Sequence, residues 1–241
     1  CERAVERHAR ELACVISEPV AANMGVVPPA PGFLERIRRA TRDRGIVLIF
    51  DEVVTGFRVG WGGAQHAFGV SPDLTTFGKI IGGGLPVGAV GGPTRLMRHL
   101  APEGEVFHGG TFAGHPLSMA AGAAVLQELK RHPPYERLNH LTADLTEELS
   151  RAAAQGGVPV EINRVGSMFT VFFSDQPVRN QRQAQASDRG RFARWAESLR
   201  RQGILIPPSP YEALFVSCAH TAKDLKRFVQ ASRAAFSHVR S

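Results

Sequence analysis

Several things are scarce in this 241-residue sequence. Its three cysteines, Cys1, Cys14 and Cys218, are too few and too scattered for a disulfide framework or a metal-ligand cluster, so no metal site is expected. Cys14 and Cys218 lie in apolar runs and read as buried thiols. No stretch approaches the about 18 apolar residues of a membrane span, and the opening CERAVER has no signal-peptide core. A cytoplasmic protein without membrane attachment is expected. Aromatic residues make up 7% of the chain and do not interleave with the basic ones. The net charge of +7 therefore reads as solvated helix faces, for example at 36–39 and 189–194, and no nucleic-acid partner is expected. What remains, 43% hydrophobic and 21% charged residues, is ordinary for a globular protein of one or two domains with a sizeable core.

Two stretches carry the chemistry. The run IVLIFDEVVTGFR at 46–58 begins with five consecutive apolar residues, three of them β-branched, and reads as a strand buried on both faces. It ends on Asp51, and parallel α/β sheets place ligands beyond the carboxyl ends of such strands. Downstream, LTTFGKIIGGGLPVGAVGG at 74–92 sets a single lysine, Lys79, between a short apolar run and a glycine-rich loop that other backbone or a ligand can approach closely. A lysine amine and a strand-end carboxylate are the two groups pyridoxal phosphate chemistry needs. The amine forms a Schiff base with the cofactor aldehyde, and the carboxylate holds a proton on the pyridine nitrogen. A solvated surface lysine and a turn-forming aspartate would account for each residue taken alone.

The wording of these segments, DEVVTGFR at 51–58, PDL at 72–74 and GKIIGGGLPVGA at 78–89, resembles the class III aminotransferases. Within them it is most similar to the glutamate-1-semialdehyde 2,1-aminomutase branch, over about residues 15–228. The resemblance implies pyridoxal-phosphate transferase fold type I: residues 1–130 as part of a large, mostly parallel three-layer αβα domain, and 131–241 as a small α+β domain. It implies pyridoxal phosphate and pyridoxamine phosphate as cofactor forms and a homodimer with shared active sites. It also implies that the family's N-terminal portion, with the glycine/serine phosphate loop and the ring-stacking aromatic, has no counterpart here, so a C-terminal fragment or truncated homologue is expected.

Residue by residue, the resemblance makes Lys79 and Asp51 catalytic and cofactor-binding and packs Val53 against the pyridine ring, although plain core packing predicts the same residue type. The loop EPVAANMGVVPP at 18–29 leaves a strand end, where Glu18 would lie near the substrate and Asn23 near the cofactor; turn groups satisfying local backbone are an equal account of both. Arg58, Trp61, Gln65 and His66 belong by resemblance near a subunit interface. In VFHGGTFAGHPLSMAA at 106–121, a glycine pair, a threonine and a proline-led helix can hold a phosphate dianion. By resemblance Thr111 reaches the phosphate of a neighbouring subunit's cofactor, whereas a simple helix cap would bind nothing. Here the sequence departs from the aminomutase pattern: His108–Gly109 stands for Gln–Ala, Ala113 for Ser and His115 for Asn. Histidines in such positions are structural or, titrating near neutral pH, catalytic. In PPSPYEALFVSCAHT at 207–221, Glu212 corresponds to the aminomutase carboxylate that sits near the substrate's amino end and repels a second carboxylate.

Elsewhere the periodicity predicts a crossover helix within 31–45, helices at 117–130, 135–154, 188–201 and 221–238, and strands at 13–17, 158–162, 167–173, 204–206 and 214–217. The polar stretch 175–185 reads as a mobile loop. The function implied is conversion of glutamate-1-semialdehyde to 5-aminolevulinate, for tetrapyrrole synthesis. An intermolecular aminotransferase for a β- or ω-amino acid is one alternative; an inactive remnant or assembly partner is another.

Overall fold

The computed structural model of the chain describes residues 1–239. The chain divides into two units, Cys1–Pro19 with Ala30–Pro133, and Val20–Pro29 with Pro134–Ser241. The segment Val20–Pro29 thus belongs to the second unit, where a single cut near residue 130 would give it to the first.

The first unit starts with helix α1 (Glu2–Arg7), strand β1 (Cys14–Ser17), helix α2 (Phe33–Arg42) and strand β2 (Val47–Asp51). Helix α3 (Gly63–Ala67) leads to β3 (Leu74–Phe77), a 3₁₀ turn (Lys79–Gly82) and β4 (Ala89–Gly91). Helices α4 (Thr94–Met97) and α5 (Pro116–Arg131) close the unit. The sheet order is β1-β2-β3-β4, with β1, β2 and β3 parallel and β4 antiparallel to β3. Pleating sends Leu48 and Phe50 of β2 to one face, where they pack with Leu34 and Ile37 of α2 and with Val70. These α2 residues repeat at helical spacing.

Asp73 ties these pieces together. Its carboxylate accepts two bonds from the Arg38 guanidinium, at 2.6 and 3.2 Å, and one from the Leu48 N–H at 2.8 Å, with Arg95 at 3.6 Å. Burial pushes this carboxyl up, but the hydrogen bonds from Arg38 and Leu48 and the charges of Arg38 and Arg95 outweigh it and hold the group below the usual aspartate value. The helix, the central strand and the entry to β3 therefore share one anchor.

Cys14 is exposed, not buried as its apolar context predicts. It lies on edge strand β1, on the same pleat face as Ile16, which is 59% exposed, while Val15 on the other face packs against Val5, Ala40 and Ile46. Cys218 is also exposed, in the turn closed by the His220 N–H to the Ser217 carbonyl. An apolar neighbourhood in sequence does not bury a residue on an uncovered strand face or in a turn.

The second unit contains α6 (Tyr135–Gly156), β5 (Glu161–Val165), β6 (Met168–Phe172), α7 (Gln181–Ala186), α8 (Arg189–Arg201), β7 (Leu214–Phe215) and α9 (Ala222–His238). The strands form an antiparallel sheet in the order β5-β6-β7. Its core centres on Trp195 of α8, which stacks on Phe236 and meets Phe173, Phe192 and Phe228 at tilted or edge-on angles, with centroids 5.8–6.1 Å apart. Residues 20–29 are held here by the Gly25 N–H to the Tyr211 carbonyl, 2.7 Å, and the Val26 N–H to Thr170 Oγ1, 3.0 Å.

Three sequence expectations shift. The first strand of this unit begins at Glu161, not 158, because Val158 is still packed in the core as the chain leaves α6. Residues 204–206 make no sheet ladder. The stretch 175–185 contains α7 instead of a mobile loop: Asn180 caps it by accepting the Gln183 N–H, and Val178 and Ala184 bury themselves with Val27 and Phe172. Two small apolar residues and one cap outweigh a polar average.

Candidate active site

The carboxyl ends of β2 and β3 build the site. Asp51 is the last residue of β2 and lies in register with Thr76 of β3, three residues before Lys79. Parallel pairing of adjacent strands therefore brings Asp51 and the Lys79 turn to the same end of the sheet. Asp51 Oδ1 accepts the Val53 N–H at 3.0 Å, which curls the chain as it leaves the strand. Oδ2 has no hydrogen-bond partner among the described residues, so a half-buried acceptor stands at the strand end. Val53 packs against the turn, its Cγ1 3.3 Å from where a Cβ on Gly78 would lie.

Lys79 is exposed and makes no ion pair among the described residues. Its φ of 49° is left-handed, one of two such non-glycine residues among those described; the other is Phe57 at 55°. Strain of this kind collects at functional positions. The turn that holds it is closed by the Ile81 N–H to the Gly78 carbonyl (3.3 Å) and the Gly83 N–H to the Ile80 carbonyl (3.0 Å).

Phe57 sits with its ring 5.8 Å from Phe77 and 5.2 Å from Trp61. The loop carrying it is organised by Glu52, which the sequence reading passed over. This carboxylate is fully buried and accepts from Thr55 Oγ1 (3.0 Å), the Ala64 N–H (2.6 Å) and the Gln65 N–H (2.9 Å). It therefore caps the start of α3 from twelve residues away. The signal was present in Gly62–Gly63: a side chain on Gly63, at φ 66°, would collide with this carboxylate.

A groove of about 1160 Å³ opens beside the turn, lined by Phe57, Phe77, Ile81, Val87, Thr111 and Gly122 among others. Thr111 is exposed and its hydroxyl has no partner among the described residues. His115 is the N-cap of α5, its Nδ1 accepting the Ser118 N–H at 3.4 Å, which gives it a structural task. His108 is exposed. Glu18 is the next-to-last residue of the first unit's opening segment, half-buried. Asn23 and Glu212 belong to the second unit, and both are exposed. The groups around Asp51 and Lys79 suit an aromatic ring bearing an N–H and an aldehyde: a free carboxylate oxygen for the first, an unpaired amine for the second, and the apolar Val53 against the turn.

Residues 1–231 match the family described as aminotransferase class-III. The chain belongs to that family. A glutamate-1-semialdehyde 2,1-aminomutase of Thermomicrobium roseum is 54% identical over 99% of this chain and 55% of its own length. A second aminomutase so named, from Brevibacillus brevis, is 52% identical over 95% and 53%. Among solved structures, an omega-transaminase from Sphaerobacter thermophilus superposes with a TM-score of 0.92 at 38% identity, over all of this chain and 55% of that one. A glutamate-1-semialdehyde-aminomutase from Pseudomonas aeruginosa PAO1 in complex with PMP gives 0.87 at 27%, over 99% and 55%. This class-III chain thus spans about half the length of the relatives it matches. Its two sheets are those of fold type I aminotransferases. No helix among the described residues is long and apolar enough to cross a membrane, and no cluster of ligating side chains there would hold a metal ion.

Proposed function

We propose that this chain is the lysine-bearing part of a glutamate-1-semialdehyde 2,1-aminomutase that works with pyridoxal phosphate and its amine form. The observation that carries the reading is the pairing of β2 with β3, which sets Asp51 and the Lys79 turn at one strand end. Bound there, pyridoxal phosphate supplies an electron-accepting ring and an aldehyde that carries the amino group. Asp51 Oδ2 would hold the proton on the ring nitrogen, and Val53 would pack on the ring. The Lys79 amine would carry the proton between the cofactor carbon that bears the nitrogen and the substrate carbon. Nitrogen would pass from the cofactor's amine form to the aldehyde carbon and return to it from the other, so that amine and carbonyl exchange places with no net gain or loss. Glu18 and Asn23 serve the substrate and cofactor from loop 18–29. Glu212, exposed and without a side-chain partner among the described residues, repels substrates with a second carboxylate.

The same reading makes the protein a homodimer. Phe107, Phe112 and Leu117 are 86%, 70% and 62% exposed, an apolar segment that a second copy would cover. A second copy covering it would take the Thr111 hydroxyl to its own cofactor phosphate. Three free, scattered cysteines suit a reducing cytoplasm. The relatives' names favour the aminomutase, while the similarity to an omega-transaminase supports an intermolecular aminotransferase as the second reading. Turnover of the amino-aldehyde without an external amino donor separates the two.

The test uses the chain's four lysines, Lys79, Lys130, Lys223 and Lys226. After incubation with pyridoxal phosphate and reduction with borohydride, peptide mass mapping is expected to find the cofactor on Lys79 first. Equal labelling of all four, or none, would overturn the reading.

A further inference from the structure

The turn carrying Lys79 rests on the backbone of α5, and two glycines make that approach possible. A Cβ on Gly122 would fall well inside contact distance of the Ile81 carbonyl oxygen. From the other side, a Cβ on Gly83 would lie 2.6 Å from the Ala121 carbonyl oxygen and 2.8 Å from its carbon. Neither obstacle is a flexible side chain; both are main chain, which cannot rotate away. Gly122 is buried in the middle of a 16-residue helix, where glycine is a poor helix former. Helix stability alone gives no reason for it.

We infer that Gly122 and Gly83 are positioning residues: their interlock seats the 3₁₀ turn on α5 and keeps Lys79 in its left-handed conformation, its amine delivered toward the strand end occupied by Asp51. Ile81, whose carbonyl meets Gly122, is two residues beyond Lys79, and the intervening Ile80 accepts the Gly83 N–H. A push on Ile81 therefore reaches Lys79 through one short hydrogen-bonded turn. Gly122 and Ile81 also line the groove that holds Thr111, so the same contact sets its wall. The inference rests on the proposed role of Lys79, and its test keeps the two apart.

Gly122→Ala is compared with the unsubstituted chain and with Ala124→Gly, an exposed site on the same helix that does not line the groove. Amide exchange at Ile81 and Gly83 is read without cofactor, and borohydride-trapped labelling of Lys79 is read with pyridoxal phosphate. Gly122→Ala is expected to speed exchange at both amides about tenfold and to slow Lys79 labelling by up to about 10²-fold, leaving Lys130, Lys223 and Lys226 unchanged. It should do so even though alanine favours the helix. Ala124→Gly should weaken the helix and change neither reading. If Gly122→Ala does not fold, Gly83→Ala, which drives a Cβ against the Ala121 main chain from the turn side, is expected to loosen the amides at 81 and 83 in its place. Wild-type exchange and labelling in Gly122→Ala would overturn the inference. Absence of preferred Lys79 labelling in the unsubstituted chain would overturn the functional reading instead, while amide exchange would still decide whether the interlock holds the turn.

Discussion

The two units are stabilised in different ways. The second is built around a continuous apolar core in which Trp195, Phe173, Phe192 and Phe236 contact one another, with aliphatic residues from α6, α8 and α9 around them. The first has only small apolar clusters, and its shape depends on single polar anchors and close backbone contacts: Asp73 between α2 and two strands, Glu52 under the 52–65 loop, and the Lys79 turn on α5. It also exposes Phe107, Phe112 and Leu117. Packing tolerates some change in each residue because many share the load, whereas an anchor of one carboxylate fails when that carboxylate is altered. The candidate lysine and aspartate sit in the unit made of anchors, where backbone geometry is held to tight tolerance at some cost in stability.

Substitutions can break this contrast. Trp195→Ala should have the largest effect, about 3–5 kcal/mol lost in urea denaturation followed by aromatic fluorescence or dichroism, because it empties the centre of the second unit's core. A loss under 1 kcal/mol would mean that the core is not shared as described. Glu52→Gln preserves volume but turns an amide NH₂ toward backbone N–H groups. About 2–3 kcal/mol should be lost, with Lys79 labelling by pyridoxal phosphate reduced in parallel; an unchanged melting curve would remove Glu52 as an anchor.

Asp73→Asn should cost about 2 kcal/mol near neutral pH, and the cost should depend on pH. The folded carboxyl is held below its ordinary value, so its contribution is fully present above about pH 4, the unfolded value, and disappears as pH falls through the lower folded value. Melting curves of the two proteins should therefore converge in acid. A constant gap at every pH would show that the charge is not what matters. The smallest effect sharpens the comparison from the opposite side. Lys79→Gly should be more stable than Lys79→Ala by about 1 kcal/mol, since glycine takes φ 49° without strain and alanine does not. Equal stabilities would mean that the turn stores none.

Much of this was legible beforehand. The strand before Asp51, the amphipathic helices and the lysine among glycines are local patterns, and local patterns survive into the fold because periodicity and backbone freedom belong to the residues themselves. Burial of that strand on both faces did not follow, since Leu48 and Phe50 are buried while Val47 and Ile49 on the other face are only partly so. Glu52 was missed because its partners, Ala64 and Gln65, are distant in sequence. The burial of Cys14 and Cys218 was misjudged because exposure depends on which face a neighbour covers. Stretch 175–185 looked mobile because its composition is polar, yet Val178 and Ala184 find a core elsewhere in the chain. Local pattern was enough to place most of the longer helices and the strands around Asp51 and Lys79, to single out that lysine and aspartate, and to point to the family. It took the folded chain to set β2 beside β3, to hold the Phe57 loop on a buried carboxylate, and to bring α5 close enough to the lysine turn to require glycine at 83 and 122. Each of these is a contact between residues far apart along the chain, and such contacts exist only once the chain has closed on itself.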